Sequence, residues 1–339
     1  MKLSIVILIW NDEKVLPNCL ESVYKETRDI DFEVIISDNG STDGMVDFVR
    51  TNYPQAIIVE NKANLGFARG NNAGIAVAKG EYILILNPDT IICDRAFDKW
   101  IAWADLHPEA GAFGCRVVNP DGSFQNCGRP FPTIWRHWIA AFYLRPLALL
   151  SSIFYSDTYS GWDGTTERII DWQYGCCILF RGNILKKLGG FDPRFFYHLE
   201  EVDLCYRISK AGNYIVYFPH AEIVHLGGQS VGRFPIRFAL ETYRSGYRYF
   251  HKHYSMRGAR KLRIIVLVNL LIRQFGYGLI SLFKKSDALK SRLEKYRVVI
   301  KWNSQLNVDR FISTGEEPDI GYEPLAPAPK IGQIDSSPD

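Results

Sequence analysis

The sequence has little net charge: 40 lysines and arginines against 37 aspartates and glutamates leave +3 over 339 residues. That balance removes any bulk electrostatic case for a nucleic-acid partner, and none is expected. Cysteine is sparse and scattered. The seven residues form no C-x-x-C pair and no zinc spacing, and the adjacent Cys176 and Cys177 are poorly placed to pair with each other. Reduced, mostly buried thiols are the expectation, which suits a cytoplasmic chain. A G-x-x-x-x-G-K-[ST] loop is absent, and no G-x-G-x-x-G follows the first apolar run, so neither a P-loop nor a dinucleotide fingerprint is present. Lys2 precedes a short apolar run, Leu3 to Trp10, that Asn11 and Asp12 cut off without a cleavage pattern, so no signal peptide is expected. No internal repeat is visible.

What is present is alternation. Leu3–Ile9, Glu33–Ser37, Ala56–Val59 and Tyr82–Leu86 read as buried strands, and Lys14–Tyr24, Asp43–Asn52, Ala68–Ala78 and Asp94–Leu106 as helices. Such alternation predicts an α/β fold, a mostly parallel sheet with helices on both faces. Ligands of such sheets bind beyond the carboxyl ends of the strands, where Trp10-Asn11, Asp38 to Ser41 and Asn87 to Asp89 gather. Val117–Gln125 reads as a hairpin, Trp172–Phe180 as a strand, Asn183–Leu188 as a helix and Tyr214–Phe218 as a late strand. From Ile236 the pattern is helical. The last residues are rich in Pro, Glu and Asp and predict disorder from about Ser313.

Five segments carry candidate chemistry. Asp38 ends a strand before Asn39-Gly40-Ser41-Thr42-Asp43. The turn and cap explain the later residues, whereas a carboxylate at position 38 can accept from a ribose hydroxyl or a base N–H. Asn64 to Asn72 is a Gly- and Asn-rich helix start. It is either an ordinary capped helix or a place where free N–H groups and Arg69 face a diphosphate. Asp89 closes the turn Asn87-Pro88-Asp89, a common strand terminator that can also hold a hard divalent cation together with phosphate oxygens. His225 follows a late strand and precedes a Gly-Gly loop. With Asp89 it would suit Mn²⁺ or Mg²⁺, the imidazole favouring Mn²⁺. The densest cluster is Glu200-Glu201-Val202-Asp203, at the start of a helix whose buried side includes Val202, Leu204 and Ile208. Glu200 and Asp203 share a face three residues apart, and Glu201 points about 100° away. Acids in a first turn complement the helix dipole, and an ionised carboxylate beside the aromatic run at 195–197 is what a general base for a sugar hydroxyl needs.

Together, Ile7 to Asn11, Asp38 to Asp43, Asn64 to Asn72, Leu86 to Asp89, Gly189 to Asp192, Glu200 to Arg207 and His225 resemble family-2 glycosyltransferases of the GT-A fold, in the bacterial rhamnosyltransferase-like branch that builds cell-surface polysaccharides. The resemblance covers most of Met1 to about Ser255. It implies that Ile9, Asn11 and Asp38 hold the nucleoside, and that Asn64, Gly66 and Arg69 lie near the diphosphate and ribose. It further implies that Asp89 and His225 bind the metal and that Glu201 is the base, with Glu200 the alternative and Asp203 beside them. Two departures stand out. The metal motif usually reads Asp-x-Asp, and Asn87 occupies its first position, better suited to touching the sugar or ribose. The base is Glu rather than the commoner Asp, so the acceptor sits slightly farther off.

The implied reaction is inverting transfer from a nucleotide-diphosphate sugar to a polyprenyl-diphosphate-linked or saccharide acceptor. A non-catalytic sugar-nucleotide module or a sugar nucleotidyltransferase is the alternative. The second would carry a Gly-rich basic loop where Trp10 to Glu13 stands, and the first would lack an acid at 89 or 201. The expected organisation is a catalytic domain over 1–232, a basic helical region over 233–302, and an acidic Pro-rich tail over 303–339. Leu262–Lys285 reads as too polar to span a bilayer. Arg263, Asn269, Arg273, Gln274, Ser281, Lys284 and Lys285 fall on one side of a helix, with Leu, Ile, Val, Phe and Tyr on the other. That pattern predicts an amphipathic helix lying on an anionic membrane surface, its polar stripe at the headgroups. A core-packing helix is the rival. The expected location is the cytoplasm, peripheral on the inner face of the cytoplasmic membrane.

Overall fold

The computed structural model describes residues 1–144, 146, 147, 151, 158, 159, 161–227, 234–284 and 286–321. Among them the chain divides into two compact units. One comprises Met1–Phe131, Thr158–Phe196 and Glu200–Gln229; the other comprises Pro132–Asp157, Tyr197–Leu199 and Ser230–Asp339.

The first unit opens with β1 (Leu3–Ile9), α1 (Leu16–Glu26), β2 (Phe32–Asp38), α2 (Met45–Asn52), β3 (Ile57–Glu60), α3 (Gly66–Val77) and β4 (Tyr82–Leu86). β3, β2, β1 and β4 lie side by side and parallel, with Leu3–Ile9 in register with Phe32–Asp38. The side chains of β1 and β4 are almost wholly buried, as expected of strands covered on both faces, whereas those of the edge strand β3 are half-buried or exposed. α3 lies close against β1 because Gly70 and Gly74, one turn apart, present no side chain. A Cβ at either would meet Leu8 or Val6 at about 2.5 Å.

The strands that follow were less legible. β5 (Thr90–Ile92), α4 (Ala96–Asp105), β6 (Ala110–Val118), β7 (Phe124–Gln125), β8 (Gly128–Arg129), β9 (Arg168–Ile170), β10 (Trp172–Gln173) and β11 (Cys177–Arg181) complete the middle of the unit, with one helix, α5 (Ile134–Ala141), belonging to the second unit. The segment expected as one strand, 172–180, is two short strands parted by a turn at 174–176. α6 (Gly182–Lys187), α7 (Glu200–Lys210) and β12 (Tyr214–His225) follow. The sheet runs β3-β2-β1-β4-β11-β6-β12-β5. It is antiparallel where β11 meets β4 and β6, and parallel again between β6 and β12. β12 is longer than the sequence suggested, continuing to His225, and its end pairs with β5 so that His225 faces Thr90. The result is a mixed α/β, mostly parallel GT-A sheet with helices packed against it.

In the second unit, α8 (Pro235–Phe283) contains one non-helical residue, Ser255, at φ 68° and ψ 175°. α9 (Asp287–Gln305), capped by Ser286, and α10 (Val308–Thr314), capped by Asn307, pack on it. Residues 303–314, expected to begin a disordered tail, are therefore largely helical. Glu317 beyond them accepts from Arg244 and from Trp302 Nε1, and Arg244 also pairs with Glu241. Residues 322–339, the end of the Gly-Gly loop after His225, Lys285 and part of the apolar 134–155 segment lie outside the described residues.

The expected orientation of Leu262–Lys285 is corrected. Arg263 donates to the Asn303 and Ser304 carbonyls (2.7–3.1 Å), Asn269 donates to the Ala141 carbonyl (2.8 Å), and Arg273 lies over the Tyr143 ring. These polar groups face protein partners rather than solvent, because the neighbouring helix ends offer them unpaired carbonyls. The apolar side is outward: Phe283 is 90% exposed, Leu282 72%, Phe275 70% and Ile264 61%. The expectation that the stretch is too polar to span is also corrected. By length and composition alone the helix is long and apolar enough to cross a membrane.

Candidate active site

Each site residue stands at the carboxyl end of a strand or the start of a helix, all in the first unit. Ile9 is fully buried at the end of β1 and pairs with Asp38. Asn11, at φ 56°, accepts from the Thr42 amide (2.7 Å), and its own amide donates to Ser41 Oγ (3.0 Å). Asp38 is buried and accepts from the amides of Gly40 (3.1 Å) and Ser41 (2.9 Å). Part of the acceptor capacity expected for a nucleoside is thus used in shaping the turn.

The loop before α3 is built similarly. Asn64 Oδ1 accepts from the Gly66 amide (3.0 Å) and from Asn39 Nδ2 (3.3 Å). Gly66 has φ +79°, and a Cβ there would sit 2.4 Å from the Phe196 carbonyl oxygen. Only glycine satisfies both the backbone and the contact. The Phe67 amide donates to that same carbonyl (2.7 Å). Arg69 donates through Nε to the Pro193 carbonyl (3.1 Å), and Asn72 clamps Phe191, accepting from its N–H and donating to its C=O. The Asn-rich helix start therefore fixes the 191–196 segment that leads toward α7.

The acidic cluster separates into two parts. Asp203 is fully buried and paired with Arg207 Nε (2.8 Å), and Arg207 also donates to the carbonyls of Leu188 and Gly190. That i, i+4 pair ties α7 to the preceding Gly-Gly turn and engages the Asp203 carboxylate. Glu200 and Glu201 are both buried at the helix start. Burial, reinforced by the neighbouring charge of Glu201, pushes the Glu200 carboxyl well above its ordinary range. His198 and Leu199, just before α7, both lie in the left-handed region, at φ 70° and 69°. For such side chains this costs on the order of 1–3 kcal/mol each, and nothing in their sequence announces it.

The turn at 174–176 joins the acids to the β4 end. Gly175 lies against both partners: a Cβ there would be 3.1 Å from the Phe67 ring and 3.9 Å from Glu201 Cβ. One residue on, the Cys176 carbonyl accepts from the Asn87 amide (2.8 Å). Asn87 and Asp89 flank Pro88, and the Asp89 carbonyl accepts from the Leu226 amide (2.9 Å). The β5–β12 ladder then brings Asp89 Oδ1 to 3.3 Å from His225 Nε2. β5 was invisible in the sequence, being only three residues long, yet it makes this pair. Burial opposes a charge on His225, but the hydrogen bond it donates to Asp89 takes its pKa up to about 9. Among the described residues no group of three or more His, Cys, Asp or Glu could hold a metal. A two-residue site suits a cation that shares its remaining positions with a diphosphate. Two neighbouring ligands of a six-coordinate ion with bonds near 2.1 Å stand about 3 Å apart, close to the observed separation.

Residues 4–162 match the model of the glycosyl transferase family 2. The chain is 29% identical over 279 residues to the N-acetylglucosaminyl-diphospho-decaprenol L-rhamnosyltransferase of Mycobacterium tuberculosis, covering 78% of this chain and 88% of that protein. It is 28% identical over 170 residues to the rhamnosyltransferase WbbL of Escherichia coli, covering 47% and 60%. Among solved structures, a mannosyltransferase from Pyrobaculum calidifontis in complex with GDP-Man and Mn²⁺ superimposes with a TM-score of 0.54 at 16% identity, covering 93% and 88%. That likeness bears on the fold alone. The family model over residues 4–162 and a rhamnosyltransferase relative along most of the chain's length support a family-2 glycosyltransferase, rhamnosyltransferase-like.

Proposed function

We propose that this glycosyltransferase moves rhamnose or a similar hexose from a nucleotide-diphosphate donor to a polyprenyl-diphosphate-linked or saccharide acceptor, with inversion, in cell-surface polysaccharide synthesis. The observation that carries this reading is the turn at 174–176, which sets Glu201 beside Gly175 and links it through Cys176 to the Asn87–Asp89 turn. Glu201 takes the acceptor proton, and the freed oxygen attacks the anomeric carbon from the face opposite the diphosphate. Burial and the neighbouring Glu201 charge hold the Glu200 carboxyl well above its ordinary range, which favours its protonated form and leaves Glu201 the preferred base. Asp38 and Asn11 frame the nucleoside end of the cleft, and the α3 start, Asn64 to Arg69, lies toward the phosphates. Asn87 meets the sugar or ribose. Asp89 and His225 would hold Mn²⁺ or Mg²⁺, which when bound neutralises charge on the departing nucleoside diphosphate. Fixing acceptor against donor supplies roughly 7–11 kcal/mol of the barrier.

The membrane partner rests on the second unit. An apolar, outward α8 face continues into the exposed Lys284, and α5 displays Trp135 and Trp138, stacked 5.1 Å apart and both exposed. Aliphatic side chains, indole rings and flanking lysines together suit the acyl–headgroup boundary of an anionic bilayer. The protein is accordingly a cytoplasmic, peripheral enzyme on the inner membrane face. The deciding experiment offers a panel of sugar nucleotides with a polyprenyl-diphosphate-linked sugar acceptor, and the product is analysed for anomeric configuration. A product whose linkage is opposite to the donor's supports the reading. Retention, or transfer of a nucleotide instead of a sugar, refutes it.

A further inference from the structure

The Gln125 side chain bonds both ends of one residue, the histidine of the proposed metal pair. Its Nε2 donates to the His225 carbonyl (2.8 Å), and its Oε1 lies 3.0 Å from His225 Nδ1. A carbonyl cannot donate, so the amide nitrogen must be the end that faces it. The amide oxygen is then the end that faces the ring, and an oxygen acceptor requires a proton on Nδ1. Asn119 reinforces this orientation, because its Oδ1 accepts from the same Gln125 Nε2 (2.6 Å) and its Nδ2 donates to Ser123 Oγ (2.8 Å). The β6–β7 hairpin holds the set in place, pairing Val117 with Gln125. A neutral ring with its proton on Nδ1 presents a lone pair at Nε2, the atom 3.3 Å from Asp89 Oδ1. Two acceptors so close repel unless a proton or a cation lies between them.

We infer that Gln125 is the positioning residue of the metal site, selecting the imidazole tautomer whose Nε2 is available to a divalent cation shared with Asp89. The inference rests on the metal reading above and assigns to the hairpin a part that no motif in the sequence indicated. Partners of this kind orient a ligating imidazole, and their loss typically weakens metal binding 10–100-fold.

Mn²⁺ is titrated against wild type, Gln125→Ala, Gln125→Glu and His225→Ala, first alone and then as its inorganic pyrophosphate complex, with the free-ion electron paramagnetic resonance signal as readout. Melting temperatures without metal serve as the fold control. Gln125→Ala is expected to lose 10–100-fold in Mn²⁺ affinity and His225→Ala at least as much. Gln125→Glu keeps an acceptor for Nδ1–H but cannot donate to the His225 carbonyl, so it should stay within a few-fold of wild type. If the two Gln125 variants weaken Mn²⁺ binding equally, the residue is only a backbone strap and the inference is overturned. It is also overturned if Gln125→Ala binds as wild type does. Wild type that binds no Mn²⁺ in either form, or His225→Ala that binds normally, overturns the metal reading itself and this inference with it.

Discussion

Glu200 and Glu201 are adjacent, similarly buried, and different in task. Glu201→Gln removes the proposed base and is expected to lower turnover 10²–10⁴-fold while leaving donor affinity within a few-fold, since its work is on the acceptor. Steady-state rates and a donor-binding isotherm check this. If Glu200→Gln is the inactive variant instead, the assignment moves to Glu200. Glu200 also has a consequence for stability. Its folded pKa is raised above the ordinary 4.5, so its stabilising share is complete below that pH and is lost as pH rises toward the folded value. Glutamine mimics the protonated form. Glu200→Gln should therefore melt higher than wild type, by a margin that grows as pH rises above the ordinary carboxylate range. A constant margin would mean that Glu200 is ionised in the folded protein. The sequence showed the acids and their helix, but not that burial shifts Glu200 upward or that Asp203 is held by Arg207, since both depend on packing.

At the scale of elements, long and strongly apolar segments were readable and short ones were not. β1 and β4 have the expected bounds because continuous runs of Ile, Leu and Val admit little else. β5 and β8 are three and two residues long, below the length at which a period can be recognised, and their existence depends on partners distant in sequence, whereas the equally short β7 was legible as the return of the 117–125 hairpin. The candidate site was legible in the same uneven way. The strand-end residues Asp38, Asn87 and Asp89 were found, whereas Gln125 was missed because no motif marks it within the hairpin. α8 shows another limit. Ser255 looks like an ordinary helical residue, yet φ 68° and ψ 175° place it in a region that essentially only glycine enters freely. Ser255→Gly is expected to stabilise the protein by about 1 kcal/mol or more, against the usual penalty for glycine within a helix. Chemical denaturation measures it. A loss of stability would show that residue 255 is helical in solution.

For the whole molecule, the question is how an enzyme without a polar-faced anchor helix would reach the lipid-linked acceptor proposed for it. The polar residues of 262–285 are directed at protein: Arg263 at the end of α9, Asn269 at the end of α5, Arg273 at Tyr143. Reversing those arginines would damage the fold and say nothing of a membrane. The outward side is the one to alter. Leu271→Ser, Phe275→Ser and Leu282→Ser together replace side chains that are 50%, 70% and 72% exposed, so removal leaves no cavity and the fold should hold. Each exposed apolar side chain that enters lipid contributes roughly 1.5–3 kcal/mol when fully buried, so the triple variant should lose most vesicle affinity. Lys284 is exposed beside this face, and further basic residues follow on α9, each contributing about 1 kcal/mol at an anionic surface. Wild type should sediment with anionic vesicles more than with neutral ones, and high salt should reduce but not abolish the difference. The triple variant should stay in the supernatant, turn over a water-soluble acceptor at the wild-type rate, and fail selectively on acceptor embedded in vesicles. If it instead loses both activities and melts early, those side chains pack against protein in solution, and the membrane assignment fails while the chemistry at Glu201 stands.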